Sequence, residues 1–253
     1  MGLPHGGKRR CPGPAARGQQ ADGPPGPDRR PGRARAVCAP SCLTGAQGRR
    51  AEGCAPLLVP AGERWAGVDE VGRGPLAGPV VACACLLPPG WCPEGLRDSK
   101  ALSPRARREL ARVILERADD VRVAVASHFL VDRLNVLQAS LAAMGAAADA
   151  LEGDVGRIVV DGALPLPLTR EWPQQAMPRA DARVACVAAA SVVAKVLRDT
   201  LMEALAPAYP GYGWEHNKGY GTPEHLEALA ALGPSPLHRR SFRPVWEAGR
   251  KPA

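Results

Sequence analysis

The chain has 253 residues, 45% of them hydrophobic, and a net charge of +8, enough apolar material for one large or two small domains with a sizeable core. The charge is lopsided: residues 1–62 hold ten Lys and Arg against three acidic side chains, so +7 falls there and +1 on residues 63–253. The basic total is therefore poor evidence that the folded part meets nucleic acid, and no uncharged apolar run approaches the roughly 18 residues of a membrane-spanning helix.

Residues 1–62 are dominated by Pro, Gly, Arg and Ala without apolar periodicity. Such a segment buries too little surface to offset chain entropy, and the expectation is a disordered basic tail ahead of a folded domain over 63–253. A basic arm adds non-specific affinity for nucleic acid; an extension without a role is the other reading. No secretory h-region opens the chain, and the eight cysteines are scattered, so a soluble, cytoplasmic protein with reduced thiols is expected. The irregular spacing of Cys38, Cys42 and Cys54, with no histidine nearby, argues against a zinc site.

Order is expected from about Arg64. Trp65–Val68 reads as a short buried strand, and Pro79 to Leu87 as its partner, closed by Pro88-Pro89-Gly90. After a loop carrying Asp98-Ser99-Lys100, Ser103 caps a helix from Pro104 to about Ala118, with proline at its first position. Val121–Ser127 alternates as a strand, Leu134–Leu151 reads as an alanine-rich helix, and Arg157–Val160 as another buried strand ending at Asp161-Gly162. A proline-rich loop over Ala163–Ala180 leads to Asp181 and a long helix from about Val184 to Ala206, stopped by Pro207 and Tyr209-Pro210-Gly211. A glycine-rich segment, Gly211 to Gly221, precedes a short helix at about Pro223–Leu232, and the tail from Gly233 reads as irregular. Strands alternating with helices imply an α/β core.

The chemistry concentrates at strand ends. Asp69-Glu70-Val71-Gly72-Arg73-Gly74 sets two carboxylates beside a Gly-Arg-Gly turn. Carboxylate oxygens suit Mg²⁺ or Mn²⁺, and an arginine with free N–H groups suits phosphate. A regular strand sends Asp69 and Glu70 to opposite faces, so their convergence requires the strand to end or bend there, as the glycines allow. Asp161 repeats the pattern at another strand end, and strand ends on one sheet edge bring distant carboxylates together. Asp181, just before a helix, is open to a simpler reading as a cap or dipole partner. Ser191, Lys195 and Arg198 follow i, i+4, i+7 on one helix face, a stripe suited to a phosphate backbone or to solvent. Lys218-Gly219-Tyr220-Gly221 holds an aromatic ring between glycines beside a lysine, suited to stacking on a sugar or base, or to a plain turn.

Taken together, these segments resemble ribonuclease HII. The match runs through Asp69-Glu70-Val71-Gly72-Arg73-Gly74-Pro75-Leu76-Ala77-Gly78-Pro79-Val80, then Asp98-Ser99-Lys100, then Val160-Asp161-Gly162. It continues through the helix from Ala188 to Asp199, Asn217-Lys218-Gly219-Tyr220-Gly221-Thr222 and Leu237-His238-Arg239-Arg240-Ser241-Phe242. The resemblance spans residues 65 to about 243. It implies a ribonuclease H-like fold, a mixed central sheet flanked by helices with a helical C-terminal extension. It implies two divalent ions, Mn²⁺ or Mg²⁺, held by Asp69, Glu70, Asp161 and Asp181. It implies cleavage of the RNA strand of RNA–DNA hybrids, and of duplex DNA 5′ of a single ribonucleotide, leaving a 5′-phosphate and a 3′-hydroxyl. Substrate would be held by Gly72, Arg73, Gly74, Lys100, Ser191, Lys195 and Tyr220, with the Gly72-Arg73-Gly74 backbone sensing the 2′-hydroxyl and Tyr220 stacking on the sugar beyond it. A monomer without membrane contact is expected. The sister class ribonuclease HIII fits less well, because its glycine turn lacks the arginine. A junction resolvase on the same fold, a non-catalytic hybrid-binding protein and a small-molecule phosphohydrolase are the rival readings.

Overall fold

The computed structural model describes residues 57–96, 99 and 102–250. The chain divides into two units, Met1–Pro31 and Gly32–Ala253, and every described residue belongs to the second. The readings of the first 56 residues, of Asp98 and of Lys100 lie outside the described residues.

The strands are β1 (Trp65–Val71), β2 (Val80–Leu86), β3 (Asp120–Ala126), β4 (Arg157–Asp161) and β5 (Gln174–Met177). They form one mixed sheet in the order β3-β2-β1-β4-β5, with β1, β2 and β3 antiparallel and β4 and β5 parallel to β1. The helices are α1 (Pro104–Arg117), α2 (His128–Leu134), α3 (Val136–Asp149), α4 (Ala185–Leu205), α5 (Trp214–Asn217), α6 (Pro223–Leu232) and α7 (Arg243–Ala248). Alternation along β2 divides the core: Val81, Cys83 and Cys85 pack with α1 and α4, while Val80, Ala82, Ala84 and Leu86 pack with α3. Helices on both faces explain why β2 is buried along its whole length.

Gly67 fixes how α4 crosses the sheet. A Cβ on Gly67 would collide with the backbone of Cys186 and Val187, so the helix lies flush against β1 at that residue. From there, two residues of strand and four of helix each advance about 6 Å, which brings Ser191 level with Asp69.

Several elements differ from expectation. β1 does not end at Val68; it stays paired with β2 through Glu70↔Ala82 and Val71↔Val81. The expected helix over 134–151 is split at Asn135, whose backbone is left-handed (φ 70°) and whose side chain caps α3 by accepting from Leu137 and Gln138; α2, capped by Ser127, precedes it. β5 lies inside the expected proline-rich loop, since Gln174–Met177 is half-buried and carries no apolar alternation. α5 and α7 occupy stretches read as glycine-rich and irregular. The folded part also begins before Arg64: Leu57 and Val59 are buried, and Leu58 bridges to Val184, exchanging backbone hydrogen bonds with Arg183 and Ala185. Three residues with one side chain between two buried ones show too little periodicity to be read as structure.

Candidate active site

Asp69 leaves β1 on the α4 side and is 5% exposed. Its carboxylate bonds with Ser191 of α4, whose hydroxyl lies 3.0 Å from that of Ser99, and it accepts the Glu70 N–H at 2.7 Å. Burial, reinforced by the charge of Glu70, holds the Asp69 carboxyl well above the usual carboxylate range. Glu70 leaves on the other face, yet Asp161 acts electrostatically on both acids. The reason is the sheet: β1 and β4 stay paired only to Val68↔Val160, so past that point the edge of β1 is open and side chains from both faces reach the same gap. Neither an end nor a bend of β1 is needed. Burial raises Glu70 to about 7, opposed by the charge of Arg73, whose Nη1 lies 3.4 Å from Oε1, and helped to a lesser degree by the charge of Asp161.

Asp161 ends β4 and accepts the Ala180 N–H at 2.7 Å. Ala180 opens a 3-10 turn, Ala180–Ala182, that carries Asp181, which is buried. Asp181 is not the cap of α4: that helix starts after Val184, which makes no side-chain cap. The turn thus sets Asp181 one residue from the amide that Asp161 holds. Among the described residues, no three acidic, histidine or cysteine side chains already close round one point. The donor set still fits a divalent cation. All four side chains offer oxygen, as Mg²⁺ and Mn²⁺ prefer, and two of them are buried beside like charge, a repulsion that a cation would relieve.

Beyond the carboxylates lies a second cluster. Gly72 has φ 104°, and a Cβ there would strike the Arg198 side chain and crowd Pro79 O, so only glycine makes this turn. Arg239, fully buried, forks onto the carbonyls of Gly72 (2.6 Å), Arg73 (2.9 Å) and Gly78 (3.0 Å). With these carbonyls drawn inward, the amides of Arg73 and Gly74 donate to no acceptor among the described residues. The Tyr220 ring lies beside the turn, its Cε1 3.8 Å from where a Cβ on Gly74 would sit. Lys195 Nζ stands 5.6 Å from that ring and pairs with Asp199 at 2.6 Å.

The basic stripe expected on α4 is not a solvent or phosphate face. Arg198 is fully buried and donates to the carbonyls of Pro79, Lys218 and Ala77, tying the Gly72 and Tyr220 loops together. Ser191 is also buried, and it supports Asp69 from beneath because α4 lies flush on β1. Of the stripe, only Lys195 reaches a groove of about 380 Å³, where Arg107, His216, Lys218 and Tyr220 join it. The roles of Arg198 and Arg239 were missed from the sequence, where each is one arginine among many; the signal available was an arginine on a mostly apolar helix and another beside His238.

A ribonuclease HII family model matches residues 66–246. Over 182 residues the chain is 49% identical to ribonuclease HII of Geobacter sulfurreducens, covering 72% of this chain and 83% of that protein. It is 52% identical over 180 residues to ribonuclease HII of Paracoccus denitrificans, covering 71% and 85%. The crystal structure of ribonuclease H2 from Pyrococcus horikoshii superposes with a TM-score of 0.62 at 29% identity, covering 74% of this chain and 97% of that one. None of the helices among the described residues is long and apolar enough to cross a membrane. The buried acids at the open edge of β1 and the glycine turn beside Tyr220 thus stand in a chain that belongs to the ribonuclease HII family, divalent-metal-dependent endoribonucleases that degrade the RNA of RNA–DNA hybrids.

Proposed function

We propose that the chain cuts duplex DNA 5′ of a single embedded ribonucleotide as well as RNA–DNA hybrids, with Asp69, Glu70, Asp161 and Asp181 holding two divalent ions, Mn²⁺ or Mg²⁺. When bound, the ions polarise the scissile phosphate and supply an activated water and charge for the departing 3′ oxygen, giving 5′-phosphate and 3′-hydroxyl ends. Ser191 holds Asp69 in place. The amides of Arg73 and Gly74 meet the ribonucleotide's 2′-hydroxyl, the group that separates RNA from DNA, and Tyr220 packs on the neighbouring sugar. Lys195 and Lys100 neutralise backbone phosphate. The observation that carries this reading is the adjacency of two unlike features: an acidic pair raised by burial and like charge, and a turn beside Tyr220 whose amides donate to no acceptor among the described residues.

The enzyme works as a cytoplasmic monomer, with residues 1–56 as a basic tail and the remainder as the catalytic domain. The test is a labelled duplex with one ribonucleotide, incubated with Mn²⁺, with Mg²⁺ and with chelator. One metal-dependent cut 5′ of the ribonucleotide, absent from all-DNA duplex, is the expected result. Cleavage of the all-DNA control, or none at all by folded protein with either metal, would sink the assignment.

A further inference from the structure

Tyr220 sits on a loop, and a stacking ring is only as well placed as its backbone. Its carbonyl accepts twice, from Thr222 N–H at 2.8 Å and from the ring of His225, whose Nδ1 also lies at 2.8 Å. Behind His225 stands His238, with the two Nε2 atoms 3.1 Å apart; both rings are buried. Two neutral imidazoles facing each other through the same nitrogen must differ in tautomer, and the surroundings decide which is which. At one end, the Ser235 N–H points at His238 Nδ1 at 3.0 Å, with the Ser235 hydroxyl 2.8 Å from the same nitrogen, so this nitrogen accepts and the proton of His238 sits on Nε2. At the other end, Trp214 Nε1–H points at His225 Nε2 at 3.2 Å, so this nitrogen accepts and the proton of His225 sits on Nδ1.

The two ends, set by different residues, agree on a single direction of donation: Ser235 N–H to His238, His238 Nε2–H to His225, His225 Nδ1–H to Tyr220 O. Extra protons are disfavoured, since a further N–H on His225 would face Trp214 Nε1–H and one on His238 would face the Ser235 N–H; burial, then the neighbouring His225 and Arg240, act the same way, holding His238 down to about 4. Tyr212 packs on both rings and closes the cluster.

We infer that His225 and His238 are positioning residues for the ribonucleotide-recognition step: their one-way chain of hydrogen bonds fixes the Tyr220 backbone and so the ring that packs on the substrate sugar. This rests on the reading of Tyr220 as a recognition residue. Neither histidine lines the groove that Lys195 and Tyr220 share, so the chain acts on substrate placement and not on the chemistry of cleavage.

The experiment measures kcat/KM on duplex DNA with one ribonucleotide for wild type, His225→Asn, His225→Leu, Tyr220→Ala and the double variant His225→Leu/Tyr220→Ala. Loss of one buried hydrogen bond predicts about a tenfold fall for His225→Leu. His225→Asn, whose amide N–H₂ lies near the former Nδ1, should recover most of it. In the Tyr220→Ala background His225→Leu should cost nothing further, because the histidine acts only through that residue. Additive losses in folded variants would overturn the inference while leaving the role of Tyr220 intact; an unimpaired Tyr220→Ala would overturn the recognition reading and the inference with it. Should the leucine variants not fold, ¹⁵N-resolved imidazole spectra of the wild type decide. Nδ1–H on His225 and Nε2–H on His238 support the chain, and the opposite tautomer at either ring rules it out.

Discussion

The two halves of the site bury charge by opposite means. At the open edge of β1, Asp69 and Glu70 are buried beside like charge, and both are pushed toward the neutral form. In the C-terminal half, Arg198 and Arg239 are also buried close to each other, but their guanidinium groups reach six backbone carbonyls between them. Burial pulls Arg239 down to about 9 without neutralising it at physiological pH. Asp69 and Glu70 thus favour a bound cation, while Arg198 and Arg239 find their partners in the backbone around them. A nuclease needs both: a place where folding leaves charge uncompensated so that metal binds strongly, and a rigid surface that reads one hydroxyl.

The contrast can be broken most severely at Asp69. Asp69→Asn should lower cleavage about a thousandfold or more, the loss of several kcal/mol of charge stabilisation, and raise the melting temperature of the metal-free protein because a repelled buried charge is gone. A melting temperature that falls would mean that the carboxylates are already compensated. Arg239→Lys tests the other half. Lysine keeps the charge but cannot fork onto three carbonyls, so stability should drop by about 3 kcal/mol or more, read from the denaturant midpoint, and cleavage at a single ribonucleotide should suffer beyond the loss of folded protein.

Two truncations give a smaller effect. Removing residues 1–56 should leave stability unchanged, whereas removing 1–62 also takes Leu57 and Val59 from the core and should cost about 3–6 kcal/mol; equal melting temperatures would show that these side chains do not pack.

The smallest effect separates the halves by pH. Glu70 is raised from 4.5 to about 7, so the folded metal-free protein binds more protons than the unfolded chain in that window and loses stability as pH rises through it. His238 is lowered from 6.5 to about 4; there the unfolded chain binds more protons, and stability is lost as pH falls through that range. Glu70→Gln should flatten the first slope alone. The acid limb of activity near pH 7 should also move to lower pH as metal concentration rises, since cation and proton compete for one carboxylate; a fixed limb would place the titration elsewhere.

The recognition motifs, the mixed α/β sheet and the position of Asp161 at the end of its strand were legible in the sequence because each rests on local pattern: an apolar run ended by Asp, glycine turns, and a proline-led, serine-capped helix. Convergence was not. That β1 runs on past its carboxylates and still offers both to one gap depends on where β4 stops pairing. That Ser191 supports Asp69 depends on Gly67 letting α4 lie flush. Arg198 and Arg239 look like surface charge until the fold wraps carbonyls round them, and the direction of the His225–His238 chain depends on Ser235 at one end and Trp214 at the other. Residue types and spacing determine which chemistry is available. Which groups are buried, and against what, is set by contacts between residues distant in the chain, and those only the tertiary structure supplies.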